Sequence, residues 1–151
     1  MKNISDIIDV NKRGNNGSIK CDNDHIAMTI HTQKDSTKTI CVVVGRNIMK
    51  SMRWVSGDRV TVDFDCERSR ILIRRVLASD KDVASWMLSA RNGTHGKRRH
   101  GQTCRTCFSL AASEMTLKAF GVEDLDDAYV PNLVTITTDG VLVPLRKPWR
   151  D

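Results

Sequence analysis

The sequence predicts a strand-rich α+β protein in which one arrangement of strands and a helix occurs twice. Three observations predict this class: several segments alternate apolar and polar residues, two short segments have helical spacing, and both patterns recur in the same order. Residues 1–17 precede them and are expected to form a flexible tail, because most of this segment is polar and rich in Asn and Gly. We therefore expect a first unit over residues 18–79 and a second over residues 80–151.

The first unit begins with two alternating segments, 25–31 and 39–44, whose polar connection predicts a hairpin. Asn47 is then a suitable cap for a short helix, because apolar residues follow it at helical spacing. Two further segments, 60–64 and 71–76, alternate as strands do and flank a charged turn. The order is therefore strand, strand, helix, strand, strand.

The second unit follows the same plan with slight sequence identity. Segments 85–90 and 103–110 take the places of the first two strands, and Ser113 is expected to cap the helix that follows. Segments 133–137 and 141–143 are expected to pair around an Asp-Gly turn, which is a strong hairpin signal. Since any α+β chain offers some such runs by chance, a fortuitous match is the alternative to a true repeat.

The bulk composition predicts a cytoplasmic protein with no membrane partner. The chain has 151 residues, and none of its apolar runs approaches the roughly 20 residues of a membrane helix. The N-terminus lacks the apolar core of a signal peptide. Five cysteines are an odd number with no disulfide-like spacing, which favours a reducing compartment.

The charge of the chain favours an anionic partner, and nucleic acid is the commonest of these inside cells. The formal net charge is +6 and the pI is near 9.3. The strongest local signal is a glycine-bearing, acid-free connector in the second unit. Its basic residues are Arg91, Lys97, Arg98, Arg99 and Arg105. Glycine allows close backbone approach to a phosphate, and guanidinium groups bind phosphate oxygens through two parallel hydrogen bonds. The alternative is a solvated loop without a ligand.

Four residues of the types that bind zinc lie in the same connector and in the predicted strand that follows it. They are His95, His100, Cys104 and Cys107, with the spacing His-x4-His-x3-Cys-x2-Cys. A separation of three along a strand points the two cysteines to opposite faces, which argues against a shared metal. Ordinary loop residues beside a buried Cys107 are the simpler interpretation, so we expect no cofactor. The sequence also lacks phosphate-binding glycine motifs and nucleophile elbows, so no enzymatic activity is expected.

Residues 39–76 carry a resemblance to a known family. The matching features are the apolar strand Ile40-Cys41-Val42-Val43-Val44, a short helix, the turn Gly57-Asp58-Arg59-Val60 and the final strand Ile71-Leu72-Ile73-Arg74. In this order they resemble the AbrB/MazE-like swapped-hairpin domains. The chain departs from the family where many members have a proline before the helix, because Gly45 and Arg46 stand there. The resemblance covers about a quarter of the chain well, and more only through the repeat.

The resemblance implies both a fold and a function. Such ββαββ units pair as intertwined copies, so a tandem chain would form one compact, barrel-like domain with a pseudo-twofold axis, or a homodimer. The family binds duplex DNA as transcription regulators and antitoxins, largely through the loop between the first two strands. Those loops are here residues 32–38 and 91–102, and the first-unit candidates for DNA contact are Lys34, Lys38 and Arg46.

These observations lead to one preferred function and two alternatives. The preferred function is DNA binding by a regulator of transcription. The first alternative is a protein–protein interaction module, such as an antitoxin-like or virus-encoded inhibitor whose basic face meets an acidic protein. The second is a small RNA-binding protein stabilised by zinc. Binding to random duplex that weakens as salt rises distinguishes DNA binding from the interaction module. Bound metal and loss of the fold with a chelator would indicate the zinc-stabilised protein.

Overall fold

The computed structural model describes residues 1–7, 23–91 and 105–149. Within these ranges the chain forms mostly short strands and three short helices. In chain order they are β1 (Lys2–Asn3), α1 (Ile4–Ile7), β2 (Ile26–Thr32), β3 (Lys38–Val44), α2 (Arg46–Met52), β4 (Arg59–Asp65), β5 (Arg70–Arg75), β6 (Trp86–Met87), β7 (Ser89–Arg91), β8 (Arg105–Ala111), α3 (Glu114–Phe120), β9 (Thr135–Ile136) and β10 (Val141–Pro144). The strand-rich α+β class predicted from the sequence is confirmed.

The strands form two antiparallel sheets, which we call sheet A and sheet B. Sheet A has the order β1-β4-β5-β10-β9, with β6 also paired with β4, and sheet B has the order β2-β3-β8-β7. In sheet A, β5 lies between β4 and β10, so that Ile73 is opposite Val62 on one side and Val141 on the other. The glycine before β10 is required there, because a Cβ on Gly140 would lie 2.2 Å from the carbonyl oxygen of Ile73.

One hydrophobic core lies between the two sheets. Alternate residues of each strand enter it, as the period of two along a strand requires. Sheet A contributes Val60, Val62, Phe64, Ile71, Ile73, Val141 and Val143, and sheet B contributes Ile26, Met28, Ile40, Val42, Val44, Phe108 and Leu110. The ring of Phe64 contacts Phe120 of α3 edge-on at a centroid distance of 5.4 Å, and Trp149 at 5.0 Å. The core therefore joins both sheets, α3 and the C-terminal segment.

Helices α2 and α3 begin with different N-cap residues, of which one was predicted from the sequence. The N-cap of α2 is Gly45, not Asn47 as predicted. A Cβ on Gly45 would lie 2.4 Å from the carbonyl oxygen of Asn23, so only glycine fits, and Asn47 instead donates a hydrogen bond to Asp24. The predicted cap of α3 is confirmed, because the Ser113 hydroxyl accepts a hydrogen bond from the third helical amide.

None of the helices in the described ranges is long and apolar enough to cross a membrane.

Residues 1–7 form regular structure, although the sequence suggested that they belong to a polar tail. β1 pairs with β4, and the side chain of Ile4 is fully buried in the core. The side-chain amide of Asn3 donates hydrogen bonds to Thr61 and Asp63 of β4. One apolar side chain and one amide thus fix this end of the chain to sheet A. The remainder of the predicted tail, residues 8–17, lies outside the described residues.

The expectation of a barrel-like domain is wrong. Over the described residues the sheets remain two separate layers, and no strand pairing closes one onto the other. The chain passes from β3 to β4 through α2, which replaces the direct strand pairing that a barrel needs at this point. Edge strands remain on both sheets, and the isolated bridge from Met28 to Tyr129 covers part of the β2 edge.

The segment 85–90, predicted as one strand, is divided between the sheets. β6 pairs with β4 in sheet A, whereas β7 pairs with β8 in sheet B. Leu88 lies between the two strands and is fully buried. Alternation of apolar and polar residues predicts an extended segment but contains no information on its pairing partner, so this division could not be predicted.

Candidate nucleic-acid interface

The two basic loops predicted from the sequence connect to opposite ends of sheet B. The loop between β2 and β3 joins the end where Thr32 is opposite Lys38. Residues 92–104, which lie outside the described residues, join β7 to β8 where Arg91 is opposite Arg105. Because β3 and β8 run antiparallel, their first residues lie at opposite ends of the sheet. Strands of seven residues separate these ends by about 24 Å.

The first basic loop is nearly neutral. Lys34 and Lys38 are exposed, but Asp35 lies in the same turn. The carboxylate of Asp35 accepts hydrogen bonds from the hydroxyl group and the amide of Thr37, at 2.6 and 3.2 Å. These bonds lower the pKa of Asp35. Aspartate is ionised at neutral pH in any case, so Asp35 places a negative charge beside the two lysines.

The second basic loop connects to the end of sheet B where β3 leads into α2. Val44, the last residue of β3, is opposite Thr106, the second residue of β8. Arg46 follows two residues later as the exposed first residue of α2. The backbones of Arg91 and Arg105 are thus at the same end of the sheet as Arg46. Three further predicted residues, Lys97, Arg98 and Arg99, lie outside the described residues.

Helix α2 extends across this end of sheet B. At its beginning, the amide of Gly45 donates to the carbonyl oxygen of His25, beside the β2–β3 pair. After its end, the hydroxyl group of Ser56 accepts a hydrogen bond from the amide of Ala90 in β7, at 3.1 Å. The amide of Gly57 donates to the carbonyl oxygen of Leu88 at 2.7 Å. Since β8 lies between β3 and β7, α2 passes the start of β8, to which the second basic loop connects.

The outer surface of α2 is basic. Arg46, Lys50 and Arg53 follow one another at spacings of four and three residues, which places them on one side of a helix. All three are exposed, whereas Ile48 and Met49 on the opposite side are buried. Within the described ranges none of the three forms an ion pair with a carboxylate. We call these three residues the α2 basic face.

The α2 basic face includes Lys50, which the sequence reasoning missed. The missed signal is an absence of acidic residues from position 36 to position 57, a segment that also contains Arg46 and Arg53. The segment from 83 to 113 lacks acidic residues as well. These two segments supply β3, α2, β7 and β8, so the structure places both of them at one sheet.

Several basic residues elsewhere are neutralised by ion pairs. On sheet A, Arg70 contacts Asp65 at 2.8 Å and Arg74 contacts Asp63 at 2.5 Å. The hydrogen bond from Arg70 lowers the pKa of Asp65. Asp124 forms ion pairs with two residues near the C-terminus, Arg146 at 2.8 Å and Lys147 at 2.9 Å. The hydrogen bond that Lys147 donates to Asp124 lowers the pKa of Asp124 and raises the pKa of Lys147.

The described residues provide one of the four predicted zinc ligands. Cys107 is buried in β8, and its thiol lies 3.8 Å from the carbonyl oxygen of Ser89. His95, His100 and Cys104 lie outside the described residues. Among the residues that the structure describes, no three His, Cys, Asp or Glu side chains are grouped as a metal site. The zinc set therefore stays an untested alternative to the simpler interpretation of these residues.

Comparison with protein-family models, with curated proteins and with solved structures found no match. The class of protein is therefore defined by the chain's own features. These features are two antiparallel sheets on a shared core, with an exposed basic helix across one end of sheet B.

Proposed function

We propose that this chain binds duplex DNA through the basic end of sheet B, as a transcription regulator of the AbrB/MazE-like type. The observation that carries the proposal is the position of the α2 basic face beside the strands that join the second basic loop. The α2 basic face and the backbones of Arg91 and Arg105 then share one end of the sheet. Lys97, Arg98 and Arg99, which follow Arg91 in the sequence, are proposed as further DNA contacts.

The dimensions of α2 suit contacts with a phosphate backbone. A helix of seven residues is about 10 Å long. Over that length a DNA duplex presents about six phosphate charges. Three exposed side chains from α2 and further arginines from the adjoining loop match this density of charge. Such contacts give affinity with little sequence preference, whereas a preferred site requires contacts with base edges.

We also propose that the two halves are divergent copies of one swapped-hairpin unit. The strand orders support a twofold relation, because β2-β3 meets β8-β7 in sheet B and β4-β5 meets β10-β9 in sheet A. Helices α2 and α3 occupy equivalent places between these pairs of strands. Their charges differ, since Glu114 and Lys118 form an ion pair on α3. The DNA-binding surface is therefore proposed where α2 of the first copy lies near the basic loop of the second copy, and not at the equivalent place beside α3.

Fluorescence anisotropy with a labelled random-sequence duplex tests this function. Binding is expected at about 50 mM salt and is expected to weaken strongly at about 200 mM. A variant with R46Q, K50Q and R53Q should bind more weakly and flatten the salt dependence by about 0.9 in log–log slope for each phosphate that the protein no longer neutralises. The matched control is K118Q, which removes one charge from the equivalent helix and should bind as the unchanged chain does.

Two results would contradict DNA binding at this surface. One is the absence of duplex binding at both salt concentrations. The other is an unchanged salt slope in the triple variant when its circular dichroism matches that of the original chain. In the second case the duplex contacts another surface.

A protein–protein interaction module is the second candidate. The observation that favours it is a group of exposed apolar side chains in and before the edge strand β9. Val130, Leu133 and Ile136 have relative exposures of 40%, 70% and 46%. Apolar side chains of this kind are common in protein interfaces. Replacing Leu133 and Ile136 with Ser should then abolish binding to the protein partner and leave the duplex assay unaffected.

A further inference from the structure

A groove separate from the α2 basic face lies between the start of β4 and the segment 76–85. Its volume is about 620 Å³, which is within the range of small-molecule sites. The side chains that give it chemical character are Arg59, Arg75, Lys81, Asp80, Leu77 and Val83. Basic and apolar residues thus line the same groove.

The arginine from β4 is held in place by a residue on the opposite side of the groove. The Nε and Nη2 atoms of Arg59 donate hydrogen bonds to the hydroxyl group and the carbonyl oxygen of Ser85, both at 2.7 Å. Ser85 therefore fixes the guanidinium group of Arg59. The remaining N–H groups of that guanidinium are available to a ligand. A guanidinium group fixed in this way loses little conformational entropy when it binds an anion.

Two more cations complete the basic part of the groove. Arg75 and Lys81 are both exposed, and neither forms an ion pair within the part of the chain that the structure describes. Two carboxylates partly offset them. Asp58 accepts a hydrogen bond from the amide of Val55, whereas Asp80 is exposed at the edge. The five charged side chains of the groove, three basic and two acidic, have a net charge of +1, which favours an anion.

The apolar part of the groove comes from the segment after β5. Val76 is largely buried, but the side chain of Leu77 is 62% exposed. Val83 is half-buried on the return of the chain. An exposed leucine beside three cations offers an apolar contact for the uncharged part of a ligand. The groove is therefore suited to a molecule that has an anionic group and an uncharged part that packs against aliphatic side chains.

We infer that this groove binds a mononucleotide. The phosphate group contacts Arg59, Arg75 and Lys81, and the base packs against Leu77 and Val83. The carboxylate of Asp80 accepts a hydrogen bond from a ribose hydroxyl group, which bare phosphate does not offer. A phosphate group of bound nucleic acid would offer the same anionic chemistry, so the experiment compares the two sources. The inference does not depend on duplex binding, because its probe is a free mononucleotide.

The test is a titration of the isotope-labelled full chain, followed by amide chemical shifts. The probes are adenosine 5′-monophosphate, inorganic phosphate, adenosine and a short duplex. We expect the mononucleotide to shift the amide signals of residues 57–59 and 75–81, with higher affinity than inorganic phosphate. Adenosine alone should shift them little, since the phosphate provides the charged hydrogen bonds. Shifts from the duplex alone would assign the groove to a nucleic acid backbone and overturn the mononucleotide inference.

Variants separate the basic side chains from the rest of the groove. R75Q and K81Q, which break no ion pair within the described residues, should each weaken mononucleotide binding, with R75Q on the order of tenfold. S85A should weaken binding, because it removes one of the two hydrogen bonds that hold Arg59. D80N should strengthen the binding of inorganic phosphate, because it removes a negative charge, and weaken the preference for the mononucleotide. The control is R68Q, at an exposed arginine in the turn after β4 and outside the groove.

Three outcomes would overturn the inference. The first is an absence of shifts at residues 57–59 and 75–81 with millimolar mononucleotide. The second is equal affinity for the mononucleotide and for inorganic phosphate. The third is unchanged binding in R75Q and K81Q when the spectra of both variants show the native fold.

Discussion

A single residue at the end of α2 combines a backbone cost with a charge. Arg53 is the C-cap residue of α2 and has a φ of 57°, in the left-handed region. Glycine is the residue usually found in this conformation, and a side chain there costs on the order of 1 kcal/mol. At the equivalent place after α3 the chain has Gly121, with a φ of 66°. The charge of Arg53 therefore suits the α2 basic face, whereas its side chain is unfavourable in the left-handed conformation.

Replacing Arg53 with Gly should therefore raise stability and lower affinity for DNA. We expect the free energy of unfolding to rise by up to about 1 kcal/mol, since the strained conformation becomes an allowed one. Duplex binding should weaken, because one cation of the α2 basic face is removed. Urea unfolding and anisotropy measure the two effects. Unchanged DNA affinity with raised stability would remove Arg53 from the interface.

At the scale of the element, alternation and capping chemistry predicted the hairpins and α3 well. The hairpins β2–β3 and β4–β5 follow from period-two segments with polar turns, and Ser113 caps α3 as expected. The cap of α2 was missed, because the need for glycine at Gly45 comes from the backbone of Asn23, which no local pattern contains. The candidate site was predicted in part for the same reason. The basic loops are visible in the sequence, but that they connect to opposite ends of sheet B depends on the strand order.

The β4–β5 hairpin should lose stability when its cross-strand ion pair is broken. Asp65 and Arg70 are directly opposite, and the hydrogen bond from Arg70 lowers the pKa of Asp65. A lowered folded-state pKa stabilises the fold above the unfolded pKa, and this contribution is lost as pH falls through the folded pKa. D65N should thus destabilise the protein at pH 7 by less than about 1 kcal/mol.

The pH dependence provides the check on that ion pair. The difference in unfolding free energy between D65N and the original chain should shrink as the pH falls below the ordinary value of 3.8. Urea unfolding at neutral and acidic pH measures it. The control is E67Q, at an exposed residue in the same turn. A difference that stays constant with pH would show that the ion pair is not its cause.

At the scale of the whole molecule, neither half has a complete core of its own. Sheet B takes two strands from residues 18–79 and two from residues 80–151, whereas sheet A takes two and three and also includes β1. The halves meet at the β3–β8, β5–β10 and β4–β6 pairs. Division of the chain would leave β3 and β5 with unpaired edges and expose the apolar face of both sheets. The intertwined pairing that the family resemblance implies includes such interdependence, whereas length and composition alone are also compatible with independent units.

The halves expressed separately should therefore not fold as monomers. Residues 18–79 and 80–151 are each expected to be unfolded, aggregated or dimeric, because a monomeric half cannot satisfy its sheet edges. Circular dichroism and analytical ultracentrifugation of each half measure this. The full chain should unfold in one cooperative transition. A half that is monomeric and cooperatively folded would contradict this interdependence.

The division of segment 86–91 between the two sheets has a mechanical consequence. β6 is anchored to β4 in sheet A, and a few residues later β7 is anchored to β8 in sheet B. A force applied where the chain leaves Arg91 is therefore transmitted past Leu88 to the opposite layer over a very short length of backbone. A ligand that pulls on the chain beyond Arg91 would therefore load sheet A and sheet B together, and neither sheet would shift without displacing the other.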